Sequence, residues 1–392
     1  MNIPRRKPYF HTKVIDKIID LTVRSDETKK LERDLKTFLR LPNAVVLGQG
    51  RVALRLILKA SGMPKGSEII IPGYTFGTLA KIIKDTGYIP KPVDIDYNTY
   101  QISIKATKKA INKKTKAILA THLFGQSSDI KAFQKIAKSK NLLLIEDCAQ
   151  SLGTTLNKKL LGTFGDVAFS SFDLSKPLQG IRGGVLFGNN VKLIKAIKKI
   201  IPTQKNTNFS DFKDLSKAIF SYVLIHTPIW FLMMFLFGYK KWQKIFVETY
   251  RHGEDDKLFY HMPPIFARIV RMNIPSFPHR LEKRRKIREL YFSILKKELK
   301  FQHLQKHNLG SFYMILAHVT CDIFALRRHL ALKGIDIALA DEIADNCLKS
   351  KNSQVSLAIK DSIALPVYES LKEEDVRRVG REIKNFLNLT AN

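Results

Sequence analysis

The sequence predicts an α/β fold: a three-layer α/β/α large domain on a mostly parallel sheet, a small C-terminal α+β domain, and an apolar helical insert between them. Three observations lead there. Strand-like and helix-like segments alternate through residue 190, the 392-residue length exceeds what one core usually supports, and a nearly uncharged run at 218–238 interrupts the pattern. The expected divisions are 1–204, 205–262 and 263–392.

Taken in order, residues 52–60 carry apolar positions at helical spacing just after Gly50, and 68–71 form a short continuous apolar run that reads as a buried strand. Runs at 117–120, 142–145 and 185–188 read the same way, and 130–137 returns to helical spacing. Such alternation implies parallel strands covered by helices on both faces, with the site at the loop ends of the strands. Beyond the insert, 322–333 reads as a helix, 335–339 as a strand and 372–387 as a helix. No internal repeat or low-complexity tract interrupts these segments.

A hydrophobic content of 45% is ordinary for a globular chain, but 67 Lys and Arg against 35 Asp and Glu give a formal net charge of +32. Anionic partners are therefore expected, whether phosphorylated small molecules, an anionic membrane surface or nucleic acid. Nucleic acid ranks last, because no helix-turn-helix, zinc-finger or RNA-recognition signature is present. Generic basic surfaces account for part of the excess. The three cysteines, Cys148, Cys321 and Cys347, are far apart, which argues for a reducing compartment and against a disulfide framework or a metal site. The first residues lack the apolar stretch of a secretory signal, so a cytoplasmic protein is expected.

Two residues carry the chemistry. Asp147 closes the apolar run 141–147, and Lys176 follows the run 167–175. A lysine amine can hold a cofactor aldehyde as a Schiff base, and a buried carboxylate beside a pyridine nitrogen keeps that ring protonated and electron-withdrawing. Alone, such a pair is a common coincidence of strand ends and surface lysines; the segments around it narrow the reading.

Gln49-Gly50-Arg51-Val52-Ala53-Leu54, Ile71-Pro72-Gly73-Tyr74-Thr75-Phe76, Thr121-His122-Leu123-Phe124-Gly125-Gln126, Glu146-Asp147-Cys148-Ala149-Gln150 and Gly162-Thr163-Phe164-Gly165-Asp166 follow one another in a recognisable order. Together they resemble the DegT/DnrJ/StrS-type sugar aminotransferases of the fold-type-I pyridoxal phosphate enzymes. The likeness is close over about residues 28 to 190, thinner from 263 to 300, and returns near 363–368.

The resemblance implies pyridoxal 5'-phosphate as cofactor and a pyridoxal-phosphate-transferase-like large domain. Lys176 and Asp147 would be catalytic. Gly50, at the start of a helix, would present free amides and the helix dipole to the cofactor phosphate. Arg51 stands where the family carries a small hydroxyl residue, and either pairs with that phosphate or points to solvent. Phe76 would stack on the pyridine ring. Ser171 matches the family's hydroxyl contact to the phosphate, and Gln150 the contact to the phenolic oxygen. Without the flanking segments each would read as a core aromatic or a backbone-capping polar group. His122 reads as structural, and no metal is expected.

Several positions depart from the family pattern. Pro177 replaces an asparagine after the lysine, and Ile181-Arg182-Gly183-Gly184 lacks the acidic residue before the glycine pair. Ile269 stands where an asparagine would reach the neighbouring subunit's phosphate site, and Ala338-Leu339-Ala340-Asp341 occupies the region of a missing His-Tyr substrate segment. Arg51 and Arg182 offer cations in compensation.

The apolar run 218–238 has the length of a membrane span, but His226, Thr227 and Pro228 fall at its middle. The expectation is two short apolar helices meeting at Pro228 and dipping into one leaflet of an anionic membrane. Lys213, Lys217, Lys240, Lys241 and Lys244 would lie at headgroup level, with Trp230, Tyr239 and Trp242 as interfacial aromatics. A buried hairpin, in the core or in a dimer interface, is the alternative. Two further basic clusters, at Lys192, Lys195, Lys198, Lys199 and at Arg280, Lys283, Arg284, Arg285, Lys286, Arg288, are expected to assist at the membrane.

The expected activity is transfer of an amino group, with glutamate as donor, to a nucleotide- or lipid-linked keto-sugar in cell-envelope glycoconjugate synthesis, by a homodimer that is cytoplasmic or peripheral on the membrane's inner face. Two alternatives remain: a membrane-associated scaffold or sensor on the same fold, and a sugar dehydratase. Relatives of the latter kind lose the lysine that this chain keeps at Lys176.

Overall fold

A computed structural model of the chain describes residues 2–7, 26–203, 216, 258–348 and 350–391. The run 218–238 and its flanking lysines and aromatics lie outside the described residues.

The main sheet has seven strands in the order Ala44–Leu47, Gly184–Phe187, Val167–Ser171, Leu143–Asp147, Thr115–Thr121, Glu68–Pro72, Ile89–Val93. All run parallel except Gly184–Phe187, which is antiparallel to both neighbours. The run near 185 is thus a buried strand as expected, but it runs against the sheet. Its direction is set by residues 172–183, a link without the helix that a parallel return requires.

Alternation of side chains builds the three layers. Val46, Ile70, Ile118, Leu144 and Val185 face one core with the helices Glu27–Leu39, Ile130–Lys140 and Pro264–Asn273. Their sequence neighbours Val45, Ile69, Ile71, Ala117, Leu119, Ile145 and Leu186 face a second core with Gly50–Ala60, Gly77–Asp85 and Val191–Ile200. Both faces are covered, so the strands read as unbroken apolar runs. Caps fix where the helices begin: the Asp129 carboxylate accepts from the Ala132 amide at 3.2 Å, and Asp322 accepts from Phe324 and Ala325 at the start of Ile323–Leu332.

A second, antiparallel sheet orders Lys300–Phe301, Ile315–His318, Ser362–Leu365 and Ala338–Leu339. Its core receives Phe277–Leu295, Ile323–Leu332 and Glu373–Ala391. The strand expected over 335–339 forms only at Ala338–Leu339, while Ile335 makes an isolated parallel bridge to Ile3. Residues 2–7, counted with the large domain in the sequence reading, thus pack on the C-terminal sheet.

Two small pairings tie the sheets together. Asn308–Leu309 adds to the hairpin of Thr155–Leu156 and Lys159–Leu160, and Asp345–Asn346 pairs with Tyr74–Thr75. Among the described residues, no helix is long and apolar enough to cross a membrane.

Candidate active site

The parallel strands deliver their C-terminal ends to one edge, and the sequence-identified residues collect there. Thr121 is the register partner of Asp147, which is in turn the partner of Phe169; along the same edge Ser171 faces Gly184, which faces Leu47. The helix Gly50–Ala60 begins three residues after Leu47. An anion, a ring and an amine can therefore be addressed from adjacent strands.

Gly50 opens its helix with no side-chain cap on the first turn. A Cβ at this position would lie 3.0 Å from the Ser170 carbonyl oxygen and 3.1 Å from Ser171 Cβ, a tight fit that glycine relieves where the helix start meets the strand end. Ser171 Oγ accepts from the Asp173 amide at 3.3 Å and retains its hydrogen to donate. Arg51 turns back, its Nε donating to Gln49 Oε1 at 3.2 Å; that same oxygen accepts from the Phe259 amide at 3.1 Å.

Asp147 is buried, and burial pushes its carboxyl above the ordinary aspartate range against the opposing pull of the Ala149 amide, Lys176 and His122. The Ala149 amide donates to Asp147 Oδ1 at 2.9 Å. Such a carboxyl gains most from a cationic partner in the same dry space. Gln150 Oε1 accepts from the Phe124 amide at 2.7 Å, and the buried Gln150 Nε2 has no hydrogen-bond partner among the described residues. A buried donor without an acceptor is expensive unless a bound group completes it.

Lys176 Nζ lies 5.0 Å from the centroid of the Phe76 ring and 5.3 Å from that of Tyr313. Tyr313 escaped the sequence reading, since no local motif marks it. Burial raises its phenol, but the charges of Arg6 and Lys176 outweigh that and hold it below the ordinary tyrosine range.

His122 is structural, as expected. Its Nδ1 accepts from the Ser128 amide at 3.1 Å, which leaves Nε2 to donate to Glu146 Oε2 at 3.0 Å. Glu146 also accepts from the amides of Gly162, Phe164 and Gly165, so its oxygens shape that turn. His122, Glu146 and Cys148 lie close enough to suggest a metal cage; the lone pairs of the first two are already engaged.

Two cationic expectations are corrected. Arg280 and Arg284 do not face a membrane: both are buried, and their Nε atoms donate to Glu369 Oε1 at 3.1 and 2.9 Å. Arg280 Nη2 also donates to the Pro177 carbonyl oxygen at 3.2 Å, directly after Lys176. Arg285 donates to the Gly310 carbonyl, and Arg288 pairs with Glu289. Glu369 holds these cations inward because one carboxylate serves two guanidinium groups, which hold it below the ordinary glutamate range against the effect of burial. Arg182 stacks over Phe259, its guanidinium carbon 3.5 Å from the ring centroid.

Comparison with known proteins gives a consistent family. The model of the DegT/DnrJ/EryC1/StrS aminotransferase family matches residues 20–384. A GDP-perosamine synthase from Vibrio cholerae is 37% identical over 161 residues, covering 41% of this chain and 44% of that protein. The chain thus aligns with under half the length of that curated relative. Among solved structures, an aminotransferase from Streptoalloteichus hindustanus superposes with a TM-score of 0.78 at 19% identity over 100% of both chains. A GDP-4-keto-6-deoxymannose-3-dehydratase mutant with bound GDP-perosamine gives 0.75 at 18% identity, over 97% of this chain and 100% of that one. Both likenesses establish the fold alone.

Proposed function

The chain belongs to the DegT/DnrJ/EryC1/StrS aminotransferase family, and from that premise we propose that it is a pyridoxal-phosphate-dependent aminotransferase carrying an amino group from glutamate to a nucleotide- or lipid-linked keto-sugar. The observation that carries the reading is the buried Asp147 carboxyl within electrostatic reach of Lys176, followed three residues on by Gln150, whose buried Nε2 has no hydrogen-bond partner among the described residues. Those three fit the ring nitrogen, the aldehyde and the phenolic oxygen of pyridoxal phosphate, and the Gly50–Ser171 contact is a cradle for its phosphate.

When bound, pyridoxal phosphate supplies an aldehyde that takes up the amino group and a conjugated ring that withdraws electrons. Lys176 Nζ then serves as base and acid, accepting the α-proton of the donor and returning a proton in the shift. Asp147 holds the proton at the ring nitrogen through a charge-assisted bond in a dry site. Phe76 orients the ring and keeps water off one face. The amides at Gly50 and the Ser171 hydroxyl receive the phosphate.

Retention of Lys176 supports amino transfer over dehydration, although both kinds of enzyme share the fold. An absorbance spectrum of purified protein with pyridoxal phosphate, before and after glutamate, tests the reading. A band near the visible edge that glutamate converts supports a catalyst; no band and no conversion would leave the scaffold reading.

We also propose a homodimer, and contact of residues 218–238 with an anionic membrane. The first rests on the family resemblance. The second rests on the apolar run with its lysine and aromatic flanks, and on exposed Lys192, Lys195, Lys198 and Lys199 along the helix Val191–Ile200. The inward-turned Arg280 and Arg284 contribute nothing to it.

A further inference from the structure

Residues 2–7 form a short arm on the C-terminal sheet. Ile3 is 1% exposed and bridges to Ile335, its amide donating to the Gly334 carbonyl at 2.8 Å while the Asp336 amide donates to the Ile3 carbonyl at 2.9 Å. Arg5 is fully committed: Nε and Nη2 donate to the two oxygens of Asp336, both at 2.8 Å, and Nη1 to Glu342 at 2.7 Å. Such an anchor fixes the direction in which the next side chain leaves.

That next side chain is Arg6, and it is not committed. Its guanidinium carbon lies 4.5 Å from the Tyr313 ring centroid. Among the described residues its Nη2 reaches only the Met314 thioether sulfur at 3.5 Å, a weak acceptor, and its buried Nε has no hydrogen-bond partner. Among the described residues no carboxylate pairs with it, whereas Arg5, Arg280, Arg284 and Arg327 all have one. A guanidinium held over an aromatic ring still presents an in-plane fork of N–H donors suited to a planar, two-oxygen anion.

The ring that holds Arg6 is also the ring beside Lys176 Nζ, at 5.3 Å. Resting on the aminotransferase reading, we propose that Arg6 receives the α-carboxylate of the amino donor. The carbon whose proton Lys176 must take is one bond from that carboxylate, so the cation that orients it has to stand near Lys176. A phosphate is less suited to this place, because the cradle at Gly50 and Ser171 lies on other strand ends. The N-terminal arm thereby supplies a specificity element that the family-like segments do not contain.

The test uses full-length protein loaded with pyridoxal phosphate and follows a single half-reaction by absorbance as glutamate is varied. Arg6→Gln is expected to raise the half-saturating glutamate concentration about 100-fold, the scale for removing one partner of a desolvated charge pair, with a smaller change in the limiting rate. Arg6→Lys should recover part of the loss. Binding of 2-methylglutamate, which has no α-proton, should weaken by the same factor without any catalysis. A primary amine without a carboxylate should convert wild type and variant alike. Inorganic phosphate should compete poorly with glutamate in wild type; strong competition that Arg6→Gln abolishes would reassign the residue to a phosphate and overturn the proposal. An Arg6→Gln protein with a normal cofactor band and unchanged glutamate affinity overturns it too. Absence of the band in wild type is the separate result that removes the aminotransferase reading, and this proposal with it.

Discussion

Lys176 Nζ stands 5.0 Å from the centroid of the Phe76 ring, and no carboxylate among the described residues pairs with it. An amine beside the ring proposed to stack on the cofactor is in reach of an aldehyde bound at that face. Lys176→Ala is expected to abolish the band near the visible edge and the adduct trapped by borohydride. The same adduct recovered from the variant would show that another amine binds the cofactor.

The second prediction concerns Asp147, whose carboxyl is raised by burial. A raised aspartate contributes stability that is fully present below its ordinary, unfolded-chain pKa and is lost as pH rises through the folded value. At pH 7, above the ordinary aspartate range, the buried carboxyl therefore costs the cofactor-free protein stability. Asp147→Asn is expected to raise the melting temperature of cofactor-free protein at pH 7, with the gain vanishing toward acid pH, while slowing the glutamate half-reaction about 10²- to 10⁴-fold. A variant that reacts at near wild-type rate would remove Asp147 from the mechanism.

Arg280 links the helix Phe277–Leu295 to the lysine loop by donating to Pro177 O and to Glu369. Arg280→Met leaves a buried carbonyl unpaired and Glu369 with Arg284 alone. A loss of about 2 kcal/mol in unfolding free energy is expected. Because the loop places Lys176, a further drop of about 10- to 100-fold in the half-reaction rate should accompany it, scaled from the sensitivity of catalysis to small misplacements. Unchanged kinetics with reduced stability would confine Arg280 to a structural part.

Much of this was legible because local rules act locally. The apolar runs at 68–71, 117–120, 142–145 and 185–188 each overlap a strand of the main sheet, and strand-end chemistry singled out Asp147 and Lys176, whereas the strands Ala44–Leu47 and Ile89–Val93 were not read. Direction is different: the run 184–187 looks the same read either way, and only the short link from Ser171 turns it antiparallel. Arg280 and Arg284 looked like surface cations because their partner, Glu369, lies more than eighty residues away. Arg6 and Tyr313 had no signal at all, one being a cation among 67 and the other an ordinary tyrosine until the arm folds onto the second sheet. Two-residue strands such as Tyr74–Thr75 and Asp345–Asn346 are too short to leave a period.

For residues 218–238, burial of large side chains at roughly 1.5 to 3 kcal/mol each, with about 1 kcal/mol per lysine near an anionic surface, is enough to hold a chain on a bilayer without a crossing. The full protein should sediment with anionic liposomes, and high salt should release part of it. Replacing Trp230, Phe231, Phe235 and Phe237 with serine should make it soluble with its cofactor band intact. A parent protein that stays in the supernatant as a monodisperse dimer without detergent would place the run in a core or interface, and would remove the support for a lipid-linked substrate.

The last prediction turns on the room between two glycines. A Cβ at Gly184 would lie 2.4 Å from Gly50 N and 2.6 Å from both Gln49 C and Gly50 Cα, all of them main-chain atoms that cannot swing aside. Gly184→Ala must therefore push the start of the helix Gly50–Ala60 away from Ser171 and open the proposed phosphate cradle. Overpacking of this kind costs about 1 to 3 kcal/mol in stability. Pyridoxal phosphate affinity should fall by at least about tenfold, since each 1.4 kcal/mol of lost contact is a factor of ten. Gly62→Ala is the control: its φ of +67° strains an alanine, but nothing lies within 4 Å of the added methyl. It should lower stability by about 1 kcal/mol and leave cofactor affinity alone. Equal affinity in the Gly184 variant and in wild type would mean that the turn at Gly50 does not bind the phosphate.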